Sequence, residues 1–379
     1  MTVLKKMLTR LLVGFLLGIS FLQLTACSGS PLKQDETVFF FPTSANQLSD
    51  GSWNVPIHHW VFEKEDDDLS RKVTQKLFSE IIEGLGVTEE QADSLLFKQR
   101  LMWFLVDNER NKKLQINLAG KVGKLTLTKA NGHAKTNLAL DSSFIKRVHV
   151  RSGEWLSFIP KASSAQDAHL EDFDLEGQVQ LIPPTGLSVI SDVDDTIKIS
   201  DVLDKKALIK NIFVEPYRIT EGFPDYYKKL KQQGAYFHYV SASPWQLYPS
   251  LKPFMDKHYP QGTVSLRDFR LKDSSLITFL QSSVEYKTKQ IKQIIERYPK
   301  HQFILIGDSG EHDPEVYAEI YKQFPGNILF IQIRAVDGSD LSDKRLSETF
   351  RKIPKAVWQV FEKPDGMKTL SSFREIKEQ

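Results

Sequence analysis

Hydrophobic and polar residues alternate along the chain in two different ways, and the change falls near residue 185. Between residues 37 and 182 the apolar stretches are short and rich in aromatic or β-branched side chains, as in TVFFFP, WNVPIHHWVFE and KLQINLAG. Turn-forming Gly, Asn and Asp separate them, which is typical of antiparallel strands. We therefore predict a β-rich, sandwich-like N-terminal domain over residues 37–182, interrupted by one amphipathic helix at SRKVTQKLFSEIIEGLG.

After the Pro183-Pro184 pair, strand-like runs alternate with helical patterns. The runs LSVISDV, AYFHYVS, QFILIGD and NILFIQIRAV are typical of buried strands, and amphipathic segments such as FPDYYKKLKQQG and KTKQIKQIIERYP lie between them. This alternation predicts an α/β domain over residues 186–365, with a parallel sheet covered by helices. Such sheets place their chemistry at the carboxyl ends of the strands. Residues 366–379 form a C-terminal tail in this scheme.

The first residues have a different character. Three cations, Lys5, Lys6 and Arg10, precede the apolar run LLVGFLLGISFLQL, which is too short to span a bilayer and has the layout of a secretory signal. The run ends in LTAC, residues 24–27, which resembles the lipobox of bacterial lipoproteins. Cys27 is the only cysteine of the chain, so it has no disulfide partner within it.

The lipobox resemblance implies a signal peptide over residues 1–27 and lipidation of Cys27. Residues 28–36 would then be a polar tether, and the acyl chains would anchor the protein to a membrane of the bacterial cell envelope, facing the periplasm. Ser28 after the cysteine resembles the pattern sorted to the outer membrane. The alternative is a plain secretory signal that happens to contain a cysteine.

Composition supports two ordinary globular domains, since the 379 residues are 41% hydrophobic and 26% charged. The formal charge of +2 includes the three cations of the signal, so the remainder carries about −1. A near-neutral chain lacks the positive charge that neutralises phosphate backbones. We therefore expect no nucleic-acid partner.

Three carboxylates crowd the stretch SDVDDT, at Asp192, Asp194 and Asp195. Like charges this close repel each other, so water or a cation must hold them. A calcium-binding EF-hand loop would need Gly at its sixth position and Glu at its twelfth, where this chain has Ile197 and Leu203. A solvated loop is disfavoured because the acids directly follow a strand that the helices should bury.

Polar residues also follow the other strands. Ser241 ends AYFHYVS, Lys287 begins a helix, and Asp308 ends QFILIGD with Asp313 five residues later. Together with Asp192-Val193-Asp194-Asp195-Thr196, these elements resemble the four motifs of the haloacid dehalogenase (HAD) phosphatase superfamily. The resemblance implies a HAD-like, Rossmannoid parallel sheet. Its cap would be small, because little sequence separates Asp192 from Ser241.

The HAD resemblance also implies roles for these residues. Asp192 would attack phosphorus and form an aspartyl phosphate, and Asp194 would serve as general acid and base. Mg²⁺ would bind the Asp192 carboxylate, the Asp194 main-chain carbonyl and Asp308. Ser241 and Lys287 would hold the phosphoryl oxygens.

Further residues are expected to support the metal site or to contact the substrate. Asp313 and Thr196 would hold the metal ligands in place without binding the metal themselves, and Asp195 would cap or hydrate the loop. Trp245 closely follows Ser241 and could contact the substrate, although a buried tryptophan at a helix start is the commoner outcome. Three arginines near the catalytic edge could meet a second anionic group of the substrate or be ordinary solvated side chains: Arg267, Arg270 and Arg334.

A narrower likeness covers about residues 186–336. The segments ISDVDDTIKISDV, YFHYVSASPWQLYP and FILIGDSGEHDPEVY together resemble the catalytic domain of the fungal actin-patch phosphatidate phosphatase family and its bacterial relatives. This resemblance implies magnesium-dependent hydrolysis of phosphatidate to diacylglycerol and phosphate. The alternatives are a phosphatase for a soluble phosphate monoester and a non-catalytic envelope module that binds lipid or phosphate.

Overall fold

The structure is a computed structural model that describes residues 29–63, 86–161, 176–268 and 284–363 together with Met367. Several sequence predictions lie outside the described residues: the signal and lipidation site at Cys27, nearly all of the helix at residues 70–86, Arg270, and the C-terminal tail apart from Met367. Within the described ranges, every helix is too short or too polar to cross a membrane.

The N-terminal region is β-rich, as the short apolar stretches predict. Its described strands form one connected set in the order β1-β3-β2-β9-β8-β5-β6, with β4 and β7 also paired to β3. Neighbouring strands are antiparallel except β2 and β9. The strands are β1 Glu36–Phe41, β2 Thr43–Gln47, β3 Trp53–Glu63, β4 Asp107–Asn108, β5 Gln115–Leu118, β6 Lys121–Lys124, β7 His133–Leu140, β8 Trp155–Lys161 and β9 Gly177–Ile182.

Short helices accompany this sheet: α1 Glu89–Asp93, α2 Leu95–Leu101 and α3 Ser142–Arg147. Thr88 forms a capping box with Gln91 at the start of α1, and the Ser94 hydroxyl accepts the Phe97 N–H at the start of α2. Ser94 both ends α1 and caps the start of α2, so the chain turns sharply between the two helices.

The second region is a six-stranded sheet in which all neighbouring strands are parallel. The strands are β10 Thr185–Ser191, β11 Tyr236–Pro244, β12 Thr263–Arg267, β13 Lys300–Asp308, β14 Ile328–Arg334 and β15 Trp358–Phe361. The described helices are α4 Lys205–Phe213, α5 Phe223–Gln232, α6 Tyr248–His258, α7 Val284–Arg297, α8 Asp313–Gln323 and α9 Asp343–Thr349. The predicted mixed α/β architecture with a parallel sheet is confirmed.

Strand order fixes where chemistry can occur in this sheet. The spatial order is β12-β11-β10-β13-β14-β15, so the chain leaves β10 in one direction and later returns to its other side at β13. The gap between β10 and β13 is therefore the switch point of the topology, where α/β sheets usually bind ligands.

The two regions share a hydrophobic core. Phe39 and Phe41 of β1 belong to the same buried cluster as Trp245 and Tyr248. The ring centroids of Phe41 and Trp245 are 4.4 Å apart, and those of His58 and Trp245 are 4.6 Å apart. The N-terminal sheet therefore packs directly against the start of α6.

Candidate active site

Two acidic residues meet where the neighbouring strands β10 and β13 end. Asp192 directly follows β10 and donates its N–H to the carbonyl of Ile306 in β13, at 2.9 Å, and Asp308 is the last residue of β13. Carboxylate oxygens of Asp192, Asp308 and Asp313 lie within 4.8 Å of one another, and all three residues are buried. The structure thus brings together three of the carboxylates that the sequence singled out.

Asp313 reaches this cluster because Gly307 has no side chain. A Cβ atom at Gly307 would overlap the Asp313 carboxylate. Asp313 starts α8, and its Oδ2 accepts the Asp308 N–H at 3.2 Å. Asp308 Oδ1 in turn accepts the N–H groups of Gly310 at 2.7 Å and Glu311 at 3.1 Å. These bonds fix the loop so that the Asp313 carboxylate lies beside those of Asp192 and Asp308.

Lys287 at the start of α7 is the cation that pairs with the carboxylate cluster. Its Nζ lies 2.7 Å from Asp192 Oδ1, Glu311 Oε2 and Asp313 Oδ1 alike, and the side chain is fully buried. Burial works against a charged amine, but the surrounding carboxylates outweigh it and hold the pKa of Lys287 well above its usual value. Lys287 therefore stays charged and partly neutralises the cluster.

The carboxylates fit a hard divalent cation. Among the residues that the structure describes, none donates a hydrogen bond to either oxygen of Asp192 or to Oδ2 of Asp308, although Asp192 Oδ1 faces Lys287 as an ion pair. Burial raises the pKa of both Asp192 and Asp308 well above the ordinary value, and the neighbouring acids add to the rise for each. Buried carboxylate oxygens that accept no hydrogen bond, contributed by two acids, are donors of the type that Mg²⁺ prefers.

Asp194 has a different environment from Asp192. Lys198 Nζ lies 2.8 Å from its Oδ1, which also accepts the Ser200 hydroxyl at 2.7 Å. Its Oδ2 accepts the hydroxyls of Ser241 at 3.0 Å and Ser243 at 2.9 Å. Burial alone would raise the pKa of Asp194, but Lys198 and the hydroxyl donors outweigh burial and lower that pKa below its usual value. Asp194 is therefore a stable anion in this arrangement.

Asp195 shapes the loop that follows. Its backbone has φ 51°, a left-handed conformation that few residues other than glycine adopt. The side chain accepts the N–H groups of Ser200 and Asp201 on Oδ1, at 2.8 and 3.0 Å, and that of Val202 on Oδ2, at 2.7 Å. Arg334 donates to the Asp195 carbonyl at 2.6 Å. Asp195 therefore folds the segment that carries Lys198 and Ser200 back over the site.

The remaining candidates lie in different places. The Thr196 side chain is fully buried and its hydroxyl has no partner among the described residues. Arg267 ends β12 and lies close enough to Glu311 for an electrostatic interaction between the two side chains. Trp245 packs against the N-terminal sheet, as described above.

Three further residues complete the site without having been predicted: Lys198, Ser243 and Glu311. Each lies within a few residues of a predicted one, in DDTIK, VSAS and GDSGEHD. This closeness in sequence to predicted site residues is the signal that could have identified them. Their roles depend on loop geometry, which the spacing alone does not specify.

Helix α4 covers the site. A cavity of about 10 Å³ is lined by Asp194, Ser243 and Glu311 on the polar side and by residues of α4 and its approach, Val202, Leu208 and Ile212, on the apolar side. That volume holds about one water molecule. Residues of α4 therefore lie directly beside Asp194 and its partner Ser243.

Comparison with known proteins supports a relationship for part of the chain. The chain is 34% identical over 177 residues to phosphatidate phosphatase APP1 of Saccharomyces cerevisiae, which is 46% of this chain and 30% of that protein. It is 32% identical over 164 residues to an uncharacterised protein of Schizosaccharomyces pombe, which is 42% of this chain and 27% of that protein. The chain thus spans less than a third of the length of either curated relative.

Among solved structures, cytosolic 5'-nucleotidase IIIB bound to cytidine is similar at 14% identity over 51% of this chain and 86% of that chain. The TM-score of 0.31 is too low to support any conclusion about fold or function. The family comparison is more specific, because residues 187–335 match the family model described as phosphatidate phosphatase APP1, catalytic domain. The segment that contains the carboxylates, Lys287 and the Asp195 loop therefore resembles the catalytic domain of that phosphatidate phosphatase family.

Proposed function

We propose that the protein is a magnesium-dependent phosphatase with a HAD-like catalytic domain, and that it hydrolyses phosphatidate to diacylglycerol and phosphate. The observation that carries this proposal is the buried cluster of Asp192, Asp308, Asp313 and Lys287 at the switch point between β10 and β13. Such a cluster can hold a phosphate ester beside a carboxylate nucleophile only if cations offset the charges of both.

Asp192 is the proposed nucleophile. A carboxylate oxygen of Asp192 forms a bond to phosphorus while the bond from phosphorus to the ester oxygen breaks, which leaves an aspartyl phosphate. Hydrolysis of that intermediate by water regenerates Asp192 and releases phosphate. Because burial raises the pKa of Asp192, its ionised form depends on Lys287 at 2.7 Å, and a cation held by the cluster would favour it further. Mg²⁺ held by Asp192 and Asp308 would supply positive charge to the phosphoryl oxygens.

Asp194 is the proposed carrier of the proton. The ester oxygen that leaves needs a proton, and the attacking water must later lose one. The four donors around Asp194 hold its pKa low in the molecule without substrate. An incoming phosphoryl group adds negative charge beside Asp194 and so raises that pKa toward the range where the carboxyl can transfer a proton.

The choice of phosphatidate is supported by the family match and by apolar side chains beside the polar groups. Val202, Leu208 and Ile212 line the cavity opposite the polar groups. Leu203 beside them has 49% of its surface exposed. Apolar side chains next to a polar cluster are compatible with a substrate that has a phosphate headgroup and acyl chains.

Substrate hydrolysis tests the proposal directly. Phosphate release from phosphatidate in mixed micelles, and from a panel of soluble monoesters, is measured with Mg²⁺ and with a chelator, for the wild type, Asp192→Asn and the control Asp256→Asn. Asp256 is on α6 and pairs with Lys252 at the surface. We expect Asp192→Asn to lose about three orders of magnitude or more in kcat, as enzymes do that lose a nucleophile, and the control to match the wild type.

Other outcomes distinguish the alternatives. Faster turnover of a soluble monoester would refute phosphatidate as substrate while leaving the chemistry intact. Binding of phosphatidate micelles without turnover of any ester would indicate a non-catalytic module. Full activity of Asp192→Asn would refute the aspartyl-phosphate route.

We further propose that Cys27 is lipidated and anchors the protein to the outer membrane, facing the periplasm. The support is the sequence of residues 11–27, where a secretory signal ends in LTAC. Detergent partitioning of the wild type and of Cys27→Ala, expressed in a Gram-negative host, tests it. The variant should move to the aqueous phase, and equal partitioning of both proteins would exclude the anchor.

A further inference from the structure

Arg100 is a buried cation that joins the N-terminal region to the segment covering the site. It lies in α2, and 3% of its surface is exposed. One of its terminal nitrogens, Nη1, donates to the carbonyls of Ile212 and Glu215, both at 2.8 Å. Its guanidinium carbon lies 3.8 Å from the centre of the Tyr217 ring. Among the described residues, no carboxylate lies within ion-pair distance of Arg100.

The groups around Arg100 explain how a guanidinium is tolerated there. Ile212 lies in the last turn of α4 and Glu215 just beyond it, so their carbonyls belong to the negative end of the helix. A planar guanidinium can donate to such carbonyls while it stacks on an aromatic face. Arg100 therefore fixes both the end of α4 and the position of the Tyr217 ring.

Tyr217 continues this set of contacts toward the catalytic groups. Lys198 Nζ lies 5.3 Å from the centre of the Tyr217 ring and 2.8 Å from Asp194 Oδ1. The same helix end that Arg100 holds carries Ile212, which lines the cavity above Asp194. A shift of Arg100 would therefore move α4, which covers the site, and Lys198, which pairs with Asp194.

α2 also packs against α4 through apolar side chains. Phe97 and Leu101 of α2 belong to one buried cluster with Leu208, Ile212 and Phe213 of α4. This apolar contact keeps the two helices together when the charge of Arg100 is removed. A variant at Arg100 can thus lose the polar contacts while it keeps the packing.

We propose that Arg100 is a positioning residue: through the end of α4, Tyr217 and Lys198 it holds Asp194 and the cover of the site in their working arrangement. This inference rests on the proposed phosphatase function for its kinetic readout. It assigns the N-terminal region a part in catalysis.

Kinetics and hydrogen exchange of matched variants test the inference on the full chain. The variants are Arg100→Met, Tyr217→Leu and Tyr217→Phe, with Arg147→Met as the control. Arg147 also lies over a ring, that of Phe144 at 5.6 Å, but on α3 in the N-terminal region. Each variant is first shown by urea unfolding to be folded under assay conditions.

We expect Arg100→Met and Tyr217→Leu to lower kcat about tenfold or more with KM changed less than about threefold, because misplacing a catalytic group slows the chemical step. Tyr217→Phe keeps the ring and should stay within about threefold of the wild type, as should Arg147→Met. The double variant Arg100→Met/Tyr217→Leu should lose no more than the worse single variant, since both remove one set of contacts.

Backbone hydrogen exchange gives a readout that does not depend on turnover. Amides of residues 198–202 and 208–215 should exchange faster in Arg100→Met and Tyr217→Leu than in the wild type and Arg147→Met. Folded Arg100→Met and Tyr217→Leu with wild-type kcat and exchange would overturn the inference, and Tyr217→Leu alone decides if Arg100→Met fails to fold. A wild type without turnover of any phosphate ester would refute the proposed function instead, and exchange alone would then judge the role of Arg100.

Discussion

His59 offers a quantitative check on the burial of ionisable side chains in the N-terminal region. It lies in the middle of β3, with no exposed surface, and neither ring nitrogen has a partner among the residues that the structure describes. Burial lowers the pKa of His59 to about 4. The ring is therefore neutral in the folded protein at neutral pH.

The sign of the pH dependence follows from this lowered pKa. An unfolded histidine has a pKa near 6.5, so the unfolded chain takes up a proton before the folded protein does as the pH falls. Stability is therefore lost from about pH 6.5 downward, until the folded side chain also titrates near about pH 4. At about 1.4 kcal/mol per pH unit, His59 alone should cost about 2 kcal/mol between about pH 7.5 and 5.

Replacing His59 with leucine removes this cost. Urea unfolding of the wild type and His59→Leu is followed at both pH values, with His312→Gln as a control at an exposed histidine. The loss of unfolding free energy on acidification should be about 2 kcal/mol smaller in His59→Leu than in the wild type. At neutral pH the variant should be at least as stable, because leucine leaves no buried nitrogen without a partner.

Equal losses on acidification in wild type and His59→Leu would refute the reasoning. That result would mean that the folded protein protonates His59 as easily as the unfolded chain does. Water or a rearranged neighbour would then have to reach the ring. The conclusion that His59 is tightly buried in β3 would be refuted. The control should behave as the wild type at both pH values.

Three further predictions concern the candidate site. Asp195→Ala removes the acceptor of the three N–H groups of residues 200–202 and should cost about 2–4 kcal/mol of unfolding free energy in urea, together with about a tenfold fall in kcat; a variant as stable and active as wild type would contradict this. Glu311→Gln removes one of the charges that compete for Lys287 and should lower the KM for the phosphate ester about threefold in steady-state kinetics, whereas an unchanged KM would exclude that competition. If Mg²⁺ binds as proposed, it should raise the melting temperature of the wild type in differential scanning fluorimetry, because the carboxylates come together only in the folded protein. An equal rise in Asp308→Asn would exclude Asp308 as a ligand.

Part of the site could be predicted from sequence because parallel strands end at one edge. The acids after LSVIS and at the end of QFILIGD follow buried strands, and the strand order makes those strands neighbours. Asp192 and Asp308 therefore meet, as predicted, and Lys287 joins them from the start of α7. The hydrophobic pattern likewise predicted the β-rich region and the parallel sheet.

Other features depend on geometry that local patterns do not encode. The role of Asp195 follows from its left-handed backbone, and only that conformation aims its carboxylate at three N–H groups. Arg100 meets the end of α4 across 112 positions of sequence, and nothing in its own neighbourhood indicates that partner. Trp245 follows Ser241 closely in sequence, yet β11 continues to Pro244 and the turn after it carries the ring to the N-terminal sheet.

The hydrophobic core that the two regions share has a consequence for how such a protein can be divided. Phe39 and Phe41 cover Trp245 and Tyr248, which lie only a few residues beyond Ser241. A fragment limited to the matched segment, residues 187–335, would expose these aromatic surfaces to water and lose the hold of Arg100 on α4. The boundary drawn by sequence similarity is therefore narrower than the unit that folds, and the N-terminal sheet must be kept or replaced by an equivalent partner whenever the catalytic segment is moved into another protein.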